Sequence, residues 1–286
     1  MTTPLVRDYR SPWLEIRGRT FAWGRRTYVM GVINVTPDSF SGDGTGGDVA
    51  AAVELAKAMD GAGADMLDIG AESTRPNAEP IDAREELRRL MPSLEAVRAA
   101  TTLPLSVDTY RAEVAGAAMA AGADLVNDIS GLRADVAMAG VIAAAGVPVV
   151  VMHNQRGREF RDVIGDIREG FNETLRLCEQ AAIEAGHVIL DPGFGFGWRP
   201  EQNMAVLRRL PELHDLGLPL LVGVSRKSTI GFVTGKAVDE RIAGTAAAVA
   251  LAVTGGADVV RVHDVAEMLD AARVADASVR GNWRSE

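Results

Sequence analysis

Eight short apolar runs recur along the chain, and each stops at a polar or charged cluster. In order they read YVMGVINVTPDS, MLDIGAESTRP, LPLSVDTYR, LVNDIS, VVVMHNQ, VILDPGFGFG, LLVGVSRKS and VVRVHD. Continuous Val/Ile/Leu runs mark parallel strands covered on both faces. Ala/Leu/Glu/Arg-rich stretches with helical spacing lie between them, over residues 49–62, 83–100, 111–121, 136–145, 166–185, 203–210, 241–253 and 265–279. Strand and helix therefore alternate eight times, as parallel βα units do. The expected fold is a single (β/α)8 (TIM) barrel over residues 1–286, with all eight polar clusters gathered on the rim at the strands' C-terminal ends.

A weak internal repeat agrees. Gly-Ala-Asp followed by an apolar strand occurs at residues 63–65, 122–124 and 256–258. Each Gly is placed to end a helix with positive φ and turn the chain straight into a strand. Ahead of the first barrel strand, WLEIRG and RTFAW pair as a short hairpin that would close the barrel's bottom. The Gly-rich stretch 41–48 reads as a loop over the rim.

The bulk numbers exclude several classes. At 286 residues and 47% hydrophobic, one barrel of about 250 residues accounts for the chain without a second domain. A net charge of -9 is the wrong sign for a nucleic-acid surface. Cys178 is the one cysteine, so no intramolecular disulfide forms, which suits a reducing compartment. No apolar run approaches the ~18 residues of a membrane span. The opening MTTPLVRDYR lacks the apolar core of a secretion signal. A soluble, cytoplasmic protein that binds neither membrane nor nucleic acid is expected.

Asp68, Asp108, Asp128 and Asp191 sit at or near strand ends, as do Asn34 and Asn127. A lone acceptor there is often a helix cap, and that is the reading for Asp128 and for Asp38 or Ser39. Several acceptors round one rim instead suit a polar heterocycle with many ring N–H groups, beside an apolar slot. SRKS puts Ser225, Arg226, Lys227 and Ser228 on a strand-to-helix turn, a candidate anion site. Arg261 and His263 are two apart, so on a strand they face the same way and read as a phosphate clamp, where barrels bind phosphate near strands seven and eight. His153, His187, His214 and His263 make no metal-binding spacing, whereas weakly held Mg2+ needs only oxygens, such as that of Asn34, and a phosphate. DPGFGFG lacks the spacing of a nucleotide loop and reads as a rigid turn presenting Asp191 and Phe196.

Together, in this order, these clusters resemble the dihydropteroate synthase family. The matching segments are 30–40 (MGVINVTPDSF), 68–76 (DIGAESTRP), 106–109 (SVDT), 127–129 (NDI), 152–153 (MH), 191–197 (DPGFGFG), 223–231 (GVSRKSTIG) and 261–264 (RVHD). The resemblance implies condensation of 6-hydroxymethyl-7,8-dihydropterin diphosphate with para-aminobenzoate, releasing diphosphate and giving 7,8-dihydropteroate. It implies that Asp108, Asn127, Asp191 and Lys227 hold the pterin, in a pocket walled by Met152, Phe196 and Gly223. Asn34 would touch Mg2+ and the diphosphate, with Arg75, Arg261 and His263 on phosphate oxygens. Thr74, Arg75, Pro76 and Ser228 would shape the para-aminobenzoate site. Asp43, Asp108, Asp191 and Lys227 are the catalytic groups so implied, and a homodimer is the implied assembly.

The chemistry agrees with that assignment. Diphosphate departure needs charge neutralisation, and an electron-rich reduced pterin stabilises a cation at its exocyclic carbon. An aromatic amine is neutral at pH 7, so no nucleophile–base pair is needed. Three departures from the family's pattern stand out. The first loop reads SFSGDG rather than SFSDGG, moving its carboxylate, Asp43, by one place. Trp198-Arg199 follows DPGFGFG where Lys-Thr is common. The stretch after His153 is Arg-rich. Two alternatives remain at this point. One is a catalytically silent pterin-binding paralogue. The other is a pterin-dependent methyltransferase barrel, disfavoured by the anion-binding SRKS and RVHD motifs.

Overall fold

A computed structural model describes residues 7–36, 45–73 and 78–281. The chain starts with the antiparallel hairpin β1 (Trp13–Ile16) and β2 (Arg19–Ala22). Then β3 (Tyr28–Asn34), α1 (Val49–Gly61), β4 (Met66–Gly70), α2 (Ala83–Ala100), β5 (Leu105–Asp108), α3 (Ala112–Ala120), β6 (Leu125–Asp128) and α4 (Met138–Ala145) follow. The second half carries β7 (Val149–Met152), α5 (Val163–Gln180), β8 (Val188–Asp191), α6 (Pro200–Arg209), β9 (Leu221–Val222), α7 (Ser228–Thr234), α8 (Ile242–Thr254), β10 (Val259–Val262) and α9 (Val265–Arg280).

Strands β3 to β10 pair in parallel in the order β8-β7-β6-β5-β4-β3-β10-β9. The remaining seam, between β8 and β9, is closed by a parallel bridge from Leu190 to Leu220. The expected barrel and its hairpin are both present. Two expected helices differ in extent. Asp162 caps α5 by accepting from the Gly165 N–H at 2.9 Å, so that helix starts earlier than residue 166 and ends at Gln180. Pro200 starts α6, because proline's missing N–H costs nothing in a first turn.

The core has two parts. The larger lies between strands and helices and includes Val29, Leu67, Val107, Val151 and Phe171. The smaller fills the lower barrel with Met30, Met66, Leu125, Val150, Ile189, Leu221 and Val259, and is sealed by Leu14, Ile16, Phe21 and Trp23 of the hairpin and its exit. Burying an apolar side chain of this kind contributes roughly 1.5–3 kcal/mol, which explains why the hairpin stays attached. It plugs the end of the barrel opposite the rim.

The Gly-Ala-Asp repeats turn out to be a bottom-end fastening. Gly63, Gly122 and Gly256 all have φ between +88° and +103°. Each following aspartate accepts the backbone N–H of the neighbouring strand: Asp65 from Val29 at 2.8 Å, Asp124 from Leu105 at 2.9 Å and Asp258 from Leu220 at 2.9 Å. Each also holds an arginine, namely Arg26, Arg98 and Arg7.

Candidate active site

Side chains alternate along a strand, so every second residue enters the barrel. Counting two places up from the apolar plug gives the site. Met30 leads through Val32 to Asn34. Leu125 leads to Asn127, Val150 to Met152, Ile189 to Asp191, Leu221 to Gly223, and Val259 through Arg261 to His263. On β5 the inward pair is Ser106 and Asp108, since Ser106 pairs with Asp68 across β4.

These upper positions open into one cavity of about 530 Å³. Asn34, Asp108, Asn127, Met152, Asp191 and Gly223 line it from the strands. Phe196, Lys227 and Ser228 line it from the loops and α7, and Arg261 and His263 from the last strand. The structure thus brings together every expected site residue that it describes. Asp38, Ser39, Asp43, Thr74, Arg75 and Pro76 lie outside the described residues.

Asp68 is the pivot beneath this layer and is fully buried. Its Oδ2 accepts from Asn127 Nδ2 at 2.9 Å and from Arg261 Nε at 2.5 Å. Arg261 Nη2 reaches Asp108 Oδ2 at 2.7 Å. Burial pushes the Asp108 carboxyl well above the carboxylate range, and Arg261 pulls it back. Burial likewise raises Asp191 to about 6, against the Gly193 N–H that it accepts at 2.8 Å. Lys227 is lowered to about 8 by burial, with Asp191 opposing. Opposed shifts of an acid and a base in one cavity mark a functional site.

The DPGFGFG turn is rigid for a visible reason. Gly193, Gly195 and Gly197 all have positive φ, and a Cβ on Gly193 would stand 1.9 Å from the His153 carbonyl oxygen. The turn projects Phe196 beneath the Lys227 ammonium, 4.1 Å from its ring centre, and the Arg156 guanidinium lies 4.9 Å from the same centre. Asn203 of α6 locks this lip to α7. It accepts from Gly195 N–H at 2.6 Å and donates to Thr229 Oγ1 at 2.8 Å.

On the last two strands, His263 Nδ1 is hydrogen-bonded to Ser225 Oγ at 2.9 Å. Arg226, with φ +54°, turns aside to pair with Asp264, so the SRKS turn aims its Lys227 inward. Asp128 departs from its expected role. It caps no helix but accepts from the N–H groups of Ser130 and Leu132 at 2.6 and 2.9 Å, while α4 begins only at Met138.

Residues unassigned from the sequence also line the cavity, including Glu72, Ser73, Arg156 and Arg241. Parity also finds Ser106, which pairs with the plug residue Leu125. Arg156 belongs to the Arg-rich stretch after His153 that the sequence singles out without a role, and nothing local marks Arg241; both arrive from outside the strands. Among the described residues no group of three or more His, Cys, Asp or Glu side chains is placed to hold a metal ion. A second hollow of about 320 Å³ near the start of α5 holds Arg158, Arg161, Asp166, Glu169 and Glu173, which pair with one another.

Comparison with known proteins agrees with this geometry. The pterin binding enzyme family matches residues 30–263. Dihydropteroate synthase of Synechocystis sp. is 45% identical over 278 residues, covering 94% of this chain and 96% of that one. The structure of Xanthomonas albilineans dihydropteroate synthase with 4-aminobenzoic acid superposes with a TM-score of 0.87 at 44% identity, covering 94% and 98% of the two chains. That of Yersinia pestis dihydropteroate synthase with a sulfonamide drug gives a TM-score of 0.88 at 39% identity, covering 93% and 98%.

Proposed function

The chain belongs to the dihydropteroate synthase family, and from that premise we propose how its own residues carry the reaction. The function is that of a dihydropteroate synthase, a transferase joining 6-hydroxymethyl-7,8-dihydropterin diphosphate to para-aminobenzoate. The observation that carries the assignment of roles is the convergence of Asp108, Asn127, Asp191, Lys227 and Arg261 on one cavity.

Asp108, Asn127 and Asp191 offer oxygens to the pterin's ring N–H groups, and Lys227 donates to an acceptor on the same ring. Met152 and Phe196 supply the apolar walls, and Gly223 leaves the floor open. With the ring so held, the C–O bond to diphosphate lengthens first. Positive charge develops on the exocyclic carbon and spreads into the reduced ring, favoured by the nearby carboxylates. Arg261 and His263 take the charge developing on the leaving diphosphate. The neutral aromatic amine then attacks that carbon to form the C–N bond, and the proton of the resulting ammonium passes to solvent. Holding both reactants in place supplies much of the barrier reduction. Asp43, in the loop outside the described residues, would add a further carboxylate, and Thr74, Arg75, Pro76 and Ser228 would border the amine.

Mg2+ fits this site as a passenger of the substrate. The described residues offer no cage, and Asn34, which lines the cavity, would offer one amide oxygen to an ion ligated mostly by phosphate and water. When bound, the ion neutralises the leaving group.

Location and assembly complete the reading. Among the described residues no helix is long and apolar enough to cross a membrane. A cytoplasmic setting suits the single, buried, unpaired Cys178. A homodimer through α7 and α8 is supported by an uncharged exposed face with Phe232, Val233 and Leu251. The deciding assay is product formation from the pterin diphosphate and para-aminobenzoate, with and without Mg2+. Mg2+-dependent dihydropteroate supports the assignment and shows that Asp43 serves from its shifted place. Pterin binding without product would favour the silent paralogue.

A further inference from the structure

We propose that Asn203 is a positioning residue for the pterin slot, because its one carboxamide sets the separation of Phe196 and Lys227, which reach the cavity from two different loops. Asn203 lies near the start of α6, is buried, and stands outside the cavity lining. Its Oδ1 accepts from the Gly195 N–H at 2.6 Å. Its Nδ2 donates to the Trp198 carbonyl at 3.2 Å and to Thr229 Oγ1 at 2.8 Å. Gly195 and Trp198 flank Phe196, and Thr229 follows Lys227 by two places at the start of α7. One side chain therefore grips the turn after β8 on both sides of Phe196 and holds it to the helix that carries on from Lys227.

The two loops meet closely where the amide joins them. The Lys227 ammonium lies 4.1 Å from the Phe196 ring centre. A Cβ on Gly195 would stand 2.9 Å from Lys227 Cδ, so the turn rests directly against the lysine stem. Attraction between an ammonium and a ring extends to about 6 Å from the ring centre, so by itself it draws the loops together without fixing their offset. Directional hydrogen bonds to one planar group fix it. The chemistry of the position calls for a carboxamide. The Gly195 N–H needs an acceptor, while the Trp198 carbonyl needs a donor. An aspartate would supply the first alone, and a leucine neither.

The inference rests on the reading that Phe196 and Lys227 hold the pterin. The test uses the full-length enzyme with Thr229→Val, which cuts the bridge at α7 while Asn203 keeps its hold on the turn, and with Thr229→Ser, which keeps a hydroxyl there. The Kd of the dihydropterin alcohol is measured by calorimetry for each variant, alone and combined with Phe196→Leu. Thr229→Val should weaken binding about fivefold, and Thr229→Ser less than about twofold. With Phe196→Leu there is no ring to be spaced from Lys227, so the further loss from Thr229→Val should fall within about twofold. Should Thr229→Val fail to fold, Thr229→Ala, which loses the same hydroxyl, is measured in its place. An unchanged Kd, an equal loss in Thr229→Ser, or the same loss with and without Phe196 would overturn the positioning role. If Phe196→Leu alone binds the pterin alcohol as tightly as the wild type, the reading of the slot fails instead, and the inference with it.

Discussion

Arg261 donates to Asp108 Oδ2 at 2.7 Å while its Nε rests on Asp68 Oδ2 at 2.5 Å, so the cation assigned to the diphosphate is also the counter-charge of two carboxylates beneath the pterin. Its removal does two separable things. Arg261→Ala leaves Asp68 and Asp108 without their partner, which costs about 3–5 kcal/mol when the pair is buried. It also removes a contact to the leaving group. Arg261→Ala is expected to weaken binding of the pterin diphosphate much more than binding of dihydropteroate, which carries no phosphate. Adding Asp68→Asn should restore part of the lost Tm without restoring diphosphate binding, because the residues are coupled through one contact. Equal losses for both ligands would remove Arg261 from the clamp.

Lys227→Ala and Asp191→Asn should each abolish most turnover with the fold intact, since both groups enter the cavity from the tops of otherwise apolar elements. Steady-state kcat/KM together with circular dichroism checks this. Near-normal kcat/KM in either variant would contradict the pterin assignment.

The same two groups, with Asp108, set a pH window for pterin binding. Burial holds Asp191 at about 6 and Lys227 at about 8. Asp191 gains its proton below about 6 and ceases to be a full acceptor. Lys227 loses its proton above about 8 and ceases to be a cation. Affinity for the dihydropterin alcohol, which has no phosphate to titrate, should therefore peak between these values and fall on both sides. Asp191→Asn should soften the acid limb without abolishing it, because Asp108, raised by burial to about 7, also gains its proton there. A profile flat from pH 5 to 9 in the wild type would show that neither proton matters to binding.

The barrel and most of the cavity were legible in the sequence because one signal encodes both. An apolar run fixes a strand, and the alternation along it fixes which residue at its end faces inward. Asn34, Asp108, Asn127, Asp191 and Arg261 follow from that parity. Asp68, read from the sequence as one of the acceptors round the rim, sits on the same inward row but one layer lower, fully buried beneath Asn127 and Arg261. The roles of Arg156 and Arg241 were not legible, since their arrival at the cavity depends on how loops from different βα units cross. Asp128 shows the converse: a cap-like position holds a turn because α4 starts too far along to use it.

The DPGFGFG turn gives a stability prediction independent of chemistry. Gly193 has φ +74° and its absent Cβ would meet the His153 carbonyl oxygen at 1.9 Å. The backbone strain alone costs roughly 1–3 kcal/mol for a residue with a side chain, and the contact with main chain cannot relax by a rotamer change. Gly193→Ala should lower Tm and, by shifting Phe196 and Asp191, also weaken pterin binding. Gly157→Ala is the control, because it has φ +72° but open space around it. It should share the backbone cost while sparing pterin affinity. Similar pterin affinity in the two variants would show that the close approach to His153 does not govern the site.

The assembly is tested on α8. That helix carries no charged residue, and its solvent side presents Ala243, Ala247 and Leu251, while the preceding helix α7 exposes Phe232 and Val233. A three-turn uncharged helix face is unusual on a monomer's surface, where polar residues normally occupy the outer stripe. Small alanines also let a second helix approach closely, so a self-complementary two-fold contact fits the face. Leu251→Glu and Ala247→Glu together should bring two carboxylates from each protomer into the one seam and convert the proposed dimer to a monomer in light scattering. These positions lie on the outer surface of the barrel, so the monomer should keep its Tm within a few degrees if the fold is independent of assembly. A wild type that is already monomeric at micromolar concentration would refute the dimer, and a variant that stays dimeric would place the contact elsewhere.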